Sequence, residues 1–421
     1  MEHQSILSDA LLRQLMAVGQ VDILVGLPTL NNAATVVEVA RAIYGCFTRD
    51  FARQRTVMIN SDAGSTDGTP ELVRDASLTD GDVVQTSHSL RTLHRVVTPY
   101  HGLPGKHTAL RTVFAAAELT QAKTLVVIDP NGPATTPARV AELIAPIAQA
   151  EVEFLAPRYI RHPRDGALIT QLVRPLVRAV YEVTLDEPLG AEFACSGRFA
   201  SHCLEGGIWA EDTARFAIDL WLRTEAVANG FALGQVWRPA TTGGATTTLR
   251  QAVRQVFLSL VASLRAHAPY WQTATGVTPL RTWGVEQNGL PAAADWDHTS
   301  LARHARDDIA QIAPLLKGVL DPALFARLMD SLRAAEPPPN DELWVRIVYA
   351  FLAATTRGPV SIEHLAEMFV PIYVWRAARF MSQTAIEPVD VVQTRLNALC
   401  DTFQRLKPAL ISRWNDEARS R

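Results

Sequence analysis

Two regimes of hydrophobic patterning divide this chain. From Val21 to Trp237, short continuous apolar runs alternate with apolar residues spaced three and four apart, and from Leu249 onward only the second spacing persists. Short runs bounded by turn formers suit strands buried on both faces of a parallel sheet, whereas the three-to-four spacing marks one face of a helix. The runs predict strands at Val21–Leu27, Val57–Ile59, Val83–Thr86, Thr124–Ile128, Phe154–Ala156 and Leu233–Trp237. Between them, helices are predicted from Ser8-Asp9 to Met16, through Ala33, Val36, Val37, Ala40 and Ile43, after Thr69-Pro70, through Ala109, Leu110, Val113 and Phe114, after Thr136-Pro137, over Ala167–Val183 with an interruption at Pro175, and over Glu211–Asn229. Threonine before proline is a helix start: the hydroxyl caps free N–H groups, and proline at the first position loses no bond. Further helices are predicted at Leu249–His267, Leu301–Leu320, Pro322–Ala335, Glu342–Thr356, Ile362–Gln383 and Val391–Trp414, with breaks at Pro337-Pro338-Pro339 and Gly358-Pro359. The βαβα order predicts an α/β domain over 1–248, followed by an all-helical domain over 249–421.

The polar chemistry gathers where the predicted strands end. Gly26-Leu-Pro-Thr-Leu-Asn-Asn32, Asn60-Ser-Asp-Ala-Gly-Ser-Thr-Asp-Gly68 and Asp129-Pro-Asn-Gly-Pro133 each follow an apolar run. In open α/β sheets the crevice at the carboxyl ends of the strands is where ligands bind. Asp62 there can accept hydrogen bonds from a base or ribose, or can simply brace an Asx turn. Lys106, in His101-Gly-Leu-Pro-Gly-Lys106-His107 before a helix, suits a phosphate, or is a solvated lysine in a turn. Asp129 can hold a cation against phosphates or cap its own turn. The basic cluster Arg158, Arg161, His162 and Arg164 is an anion site for an acceptor carboxylate or a solvated face. Asp219, inside the apolar run Phe216–Leu222, must be paired or useful, and a structural salt bridge is the plainer of the two.

Composition narrows the class. The 421 residues carry a formal charge of −3, with 48% hydrophobic and 20% charged residues, which fits an ordinary globular protein and offers no global basic field for nucleic acid. Cys46, Cys195, Cys203 and Cys400 lack both disulfide-scaffold and metal-knuckle spacing, so a reducing compartment is expected. No secretory leader or apolar span is evident, and the expected location is the cytoplasm. Self-association is left open.

With these residues laid out, the chain resembles nucleotide-sugar glycosyltransferases of the GT-A fold, a single Rossmann-like mixed sheet of the family 2-like type. Within them it looks like the mannosylglycerate synthase and glucosyl-3-phosphoglycerate synthase group. The matching stretches are L-P-T-L-N-N, S-D-A-G-S-T-D-G-T, P-G-K-H-T-A-L, the strand ending in Asp129, E-P-L-G-A-E, F-A-I-D and L-R-Q-A-V-R-Q-V-F, with D-E-L-W around Asp341 and the helix near Phe369–Phe380 in the tail. The first two are shared very widely and speak to fold; P-L-G-x-E is the narrower signal.

The resemblance implies that Pro28, Thr29, Leu30, Asn32 and Asp62 surround the base and ribose, and that Lys106 lies by the diphosphate. Asp129 would be the first carboxylate of an Asp-x-Asp motif that holds Mg²⁺ or Mn²⁺. Leu189, Gly190, Ala191 and Glu192 would meet a small acid acceptor, with Arg158 near its carboxylate. Asp219 would stand close to the acceptor hydroxyl as base or orienting group. Three departures from the family bear on the donor: the motif reads Asp129-Pro130-Asn131 and no histidine occurs from Gln235 to Arg265, both of which weaken the metal, and Asn32 stands where many relatives have an acidic residue. The implied activity is retaining transfer of a hexose from a nucleotide-diphosphate sugar to a small hydroxy acid such as glycerate. The alternative is a weakened or inactive relative that binds the sugar nucleotide or a partner. A dinucleotide oxidoreductase is a weaker third option, because no G-x-G-x-x-G follows the first strand.

Overall fold

Ile23–Thr29 (β1) is buried along its whole length, as a strand flanked and covered on both faces must be. The computed structural model describes residues 7, 9–77, 83–87, 106–132, 135–206, 209, 218–239, 249–286, 289–293, 297–334, 340–357 and 360–419. Helix α1 (Asp9–Val18) precedes β1, and α2 (Val36–Asp50), β2 (Thr56–Asp62), α3 (Thr69–Ser77), β3 (Val83–Ser87), α4 (Lys106–Leu119), β4 (Thr124–Val127), α5 (Pro137–Ala148) and β5 (Phe154–Tyr159) follow in alternation. A π-helical turn (Ile169–Val173) leads into α6 (Arg174–Tyr181), then β6 (Phe193–Ser196), α7 (Gly197–Glu205), α8 (Ile218–Ala228) and β7 (Leu233–Arg238). The remainder is α9 (Leu249–Ala266), α10 (Ala268–Trp271), the two-residue β8 (Thr282–Trp283), α11 (His298–Leu316), α12 (Pro322–Arg333), α13 (Asp341–Ala354), α14 (Ile362–Thr384) and α15 (Val389–Arg419).

The strands form one sheet in the order β3-β2-β1-β4-β6-β5-β7-β8. All neighbours pair parallel except β6, which runs against both β4 and β5. This is the Rossmann-like mixed sheet expected from the sequence. One face carries the main core, where Val25 and Leu27 of β1 meet Val39, Ile43 and Phe47 of α2 and Leu143 and Ile147 of α5. On the other face α4 lies against β1 so closely that a Cβ on Gly26 would come within 2.4 Å of Val113. Helix α5 starts as expected, with Thr136 as cap accepting from the Arg139 N–H and Pro137 in its first turn.

Strands β1, β2 and β5 run two or more residues beyond their apolar runs, β5 through Pro157, Arg158 and Tyr159 in its ladder with β7. β1 continues through Pro28 and Thr29, paired only with β2, and β2 continues through Asn60, Ser61 and Asp62. Pro28 fits because it faces the side on which β4 has already ended at Val127, opposite Gly26, so the ladder needs no N–H from it.

The chain divides into two compact units: Met1–Ile160 with Leu189–Thr241 and Leu280–Asn288, and Arg161–Pro188 with Thr242–Pro279 and Gly289–Arg421. Relative to a division at residue 248, 161–188 lies with the helices and 280–288 with the sheet. The helical unit is packed around a cluster of rings, with Trp344 stacked on Phe369, which meets Phe257 at a tilt and Phe351 edge-on. Its buried Arg376 donates to Gln171 Oε1 and Asp341 Oδ1, and burial holds that guanidinium below its usual pKa range. Among the described residues no helix is long and apolar enough to cross a membrane, and all four cysteines are buried and free.

Candidate functional site

The chain proceeds from β1 to β2 and β3 in one direction, and from β4 onward in the other, so the strand order reverses between β1 and β4. The carboxyl end of that gap is where a crevice must open in a sheet of this kind. Three polar loops surround it, following β1, β2 and β4. Because β6 is antiparallel, its leading loop, 189–192, arrives at the same edge: Phe193 pairs with Val127.

The β1 and β2 loops are stitched together. Asn31, in the left-handed region at φ 55° that asparagine tolerates, donates its N–H to Ser65 Oγ and accepts from the Thr66 N–H at Oδ1. The Asn32 N–H donates to Thr69 Oγ1, and the Ala33 N–H to Asp67 Oδ2. Asp62 is 1% exposed and takes four hydrogen bonds from the protein: Thr29 Oγ1 (2.8 Å) and Ser65 Oγ (2.6 Å) donate to Oδ1, while the Gly64 and Ser65 N–H groups (2.9 and 2.8 Å) donate to Oδ2. A carboxylate has about four acceptor sites, so here Asp62 shapes the loop and has none left over for a base or ribose. Asp67 does the same for the start of α3, accepting from Thr69 N–H and Oγ1, which holds its carboxyl below the usual range.

Asn32 carries the stitching across the switch point. Its Oδ1 accepts from the Leu30 N–H, and its Nδ2 donates to Asn131 Oδ1 at 2.7 Å, joining the β1 loop to the β4 loop. Asp129 Oδ1 in turn accepts from the Asn131 N–H. These residues do not fit a resident divalent cation. Asp129 brings one carboxylate with an oxygen already engaged, the Asn131 carbonyl is turned to Asn32, and no group of three His, Cys, Asp or Glu placed to hold a metal ion occurs among the described residues.

On the far side of the crevice, buried guanidiniums take over. Arg223, on α8 and fully buried, donates through Nη2 to the Gly190 carbonyl (2.7 Å) and the Glu192 carbonyl (3.2 Å), and through Nη1 to the Asp219 carbonyl (2.7 Å). One side chain thus links the 189–192 loop to the first turn of α8, where Asp219 sits. Gly190 is required at that contact: a Cβ there would lie 2.3 Å from the Pro157 ring. Arg238, at the end of β7, donates to Glu192 Oε1 (2.6 Å) and Glu142 Oε2 (3.2 Å), so the Glu192 carboxylate is committed within the protein. Arg158 lies on β5 with its guanidinium 4.2 Å from the Trp237 ring centroid.

The candidates therefore separate. Pro28, Thr29, Leu30, Asn32, Asp62, Asp129, Arg158, Leu189, Gly190, Ala191, Glu192 and Asp219 all belong to the sheet unit. Arg161, His162 and Arg164 belong to the helical unit, where Arg161 forms a bidentate pair with the buried Glu187 and Arg164 donates to the Glu387 carbonyl. Burial pushes the Glu187 carboxyl up, partly offset by Arg161. The basic cluster is thus divided, and Arg158 alone of its members stands in the sheet unit. Lys106 opens α4, but its side chain, the preceding 101–105, the 211–217 part of the expected helix and the 241–248 loop lie outside the described residues. Arg223 and Arg238 went unnoticed in the sequence, and Asn31 reads there only as a member of its loop. The one available signal was an arginine in the same largely apolar helix as Asp219.

No protein-family model matches the chain, and no curated protein sequence matches it. Solved structures similar to it include glucosyl-3-phosphoglycerate synthase from Mycobacterium tuberculosis in complex with Mn²⁺, UDP and glucosyl-3-phosphoglycerate, at 21% identity and a TM-score of 0.42, covering 64% of this chain and 87% of that one. Mannosyl-3-phosphoglycerate synthase from Rubrobacter xylanophilus is similar at 20% identity and a TM-score of 0.40, covering 61% and 78%. Likenesses this distant carry no function across.

Proposed function

We propose that the carboxyl edge of the sheet binds a nucleotide-diphosphate sugar and that the chain transfers its hexose, with retention, to a small hydroxy acid such as glycerate. One observation carries the reading: the β1, β2 and β4 loops are tied into a single rim across the topological switch point, opposite a backbone loop fixed by Arg223. A rim held by its own hydrogen bonds needs no reorganisation when a ligand arrives, which favours both affinity and catalysis. In this reading Pro28 to Leu30 and Asn32 face the nucleoside, and Asp62 positions the loop beside it. Asp219 orients the acceptor hydroxyl, and residues 189–191 receive the acceptor's acid group. The departing diphosphate is neutralised by side chains, with Lys106 and Arg158 as the cations assigned to it.

A second reading, a relative that binds sugar nucleotides without turning them over, is supported by Asn131, which stands where the resemblance puts the second carboxylate of the metal motif and whose carbonyl accepts from Asn32. Turnover separates the two. Sugar-nucleotide consumption with glycerate or phosphoglycerate present should be measurable and nearly unchanged by EDTA, and Asp219→Asn should lower it while leaving stability intact. Asn131→Asp should make the reaction more sensitive to chelation. No turnover under any of these conditions favours the binding-only reading, and activity abolished by EDTA in the unaltered chain defeats the metal assignment.

A further inference from the structure

A cleft of about 380 Å³ opens within the helical unit, walled by the first half of α11, the end of α12 and α14. Its lining brings together three guanidiniums, Arg303 and Arg306 of α11 and Arg379 of α14, with the His298 imidazole, the Ser331 hydroxyl and the Trp375 ring. No carboxylate lies among the described residues of that lining. Elsewhere in the same unit arginines are neutralised: Arg250 pairs with Asp308, Arg254 with Glu367, and Arg333 with Asp330. The side chains of Arg303 and Arg306 have no such partner among the described residues.

A basic stretch on a convex helix face is ordinarily just solvated. Here the charges converge on a concavity instead, beside a tryptophan that is 5% exposed. Cations gathered around one cleft repel one another, and an anion seated among them relieves that repulsion while using guanidinium forks whose geometry matches phosphate oxygens. The volume lies toward the lower end of the range for small-molecule sites, roughly 300–1,000 Å³.

We propose that this cleft binds a small phosphorylated metabolite carrying at least two negative charges, with Trp375 forming an apolar wall for its carbon skeleton. The assignment does not depend on the reaction proposed for the sheet unit.

Calorimetric titration of the full chain with inorganic pyrophosphate, repeated in Lys106→Ala/Arg158→Ala to remove the contribution of the cations assigned to the diphosphate in the sheet unit, tests it. Both forms should bind. The double variant Arg303→Gln/Arg306→Gln, whose changes fall at exposed positions, should lose about tenfold or more in affinity, while its nucleoside-diphosphate titration stays unchanged. Equal pyrophosphate affinity in the double variant and the unaltered chain overturns the proposal. So does binding of a long polyanion such as heparin without binding of pyrophosphate, which would make the face a macromolecular contact.

Discussion

On the β1–β2 side of the rim, carboxylates and amides accept from the N–H groups of neighbouring loops; on the β6–β7 side, buried guanidiniums donate to carbonyls and to two carboxylates. The first side is redundant, because Asn31, Asn32, Ser65, Asp67 and Thr69 each hold part of it. The second depends on single side chains, since Arg223 by itself donates to the Gly190, Glu192 and Asp219 carbonyls and so joins that loop to α8. Loss of one member should therefore be graded on the first side and abrupt on the second. A buried arginine is also the harder group to replace, because no other side chain presents five donors in a planar fork.

The largest effect should come from Arg223→Met. It keeps much of the packing volume but leaves the Gly190 and Glu192 carbonyls without their donor, at a cost of about 2–5 kcal/mol by denaturant titration. Acceptor KM should rise, while affinity for the nucleotide, held on the other side, changes little. A parallel loss of nucleotide affinity would show that the two sides are one unit.

Asp62→Ala should cost less, about 2 kcal/mol, because its partners are shared with Asn31 and Asn60 or can turn to water. Nucleotide affinity should fall with it through loosening of the loop. If stability is untouched and affinity alone drops, Asp62 contacts the ligand after all, and the loop-shaping role is wrong.

The smallest effect should come from outside the rim. Glu153 accepts from Arg198 Nε and Nη2 and from the Ala232 N–H, and the Arg198 hydrogen bonds hold its carboxyl below the usual glutamate range. A folded-state pKa below the unfolded one means stability that is present above about pH 4.5 and lost as pH falls through the folded value. Glu153→Gln should flatten that part of the acid-denaturation curve only slightly, given the exposure of Arg198, and should leave the rim's ligand binding untouched. A change in nucleotide affinity would tie this distant pair to the site.

Most of the architecture was legible in the sequence because its strands are continuous apolar runs and its helices carry proline and threonine punctuation, as at Thr136-Pro137. What was not legible had physical reasons. Pro28, Thr29, Asn60 and Ser61 read as turn residues, yet Pro28 and Thr29 sit in β1 where its ladder with β4 has already ended, and Asn60 and Ser61 sit in β2 because its ladders with both β1 and β3 continue through Asp62, with Asn60 Nδ2 also donating to the Leu27 carbonyl. β6 is four residues long behind a glycine turn, too short for any periodicity to register, and β8 is shorter still. Within the site, short-range acceptors such as Asp62 and Asp129 stood out. Arg223 and Arg238 did not, because a buried arginine is recognised mainly by the carbonyls and carboxylates that folding brings to it, here from 31 to 99 residues away.

The central claim is that a nucleoside diphosphate binds at the carboxyl edge of the sheet, between the β1 and β4 loops. Isothermal titration of the chain with a panel of nucleoside diphosphates, in the presence of EDTA, tests it most directly. The account predicts one-to-one binding of at least one member, weakened about tenfold or more in Asn32→Ala, which unties the β1 loop from the β4 loop, and retained in Arg303→Gln/Arg306→Gln. Absence of binding across the whole panel, or binding indifferent to Asn32 but lost with the helical-unit arginines, would contradict it.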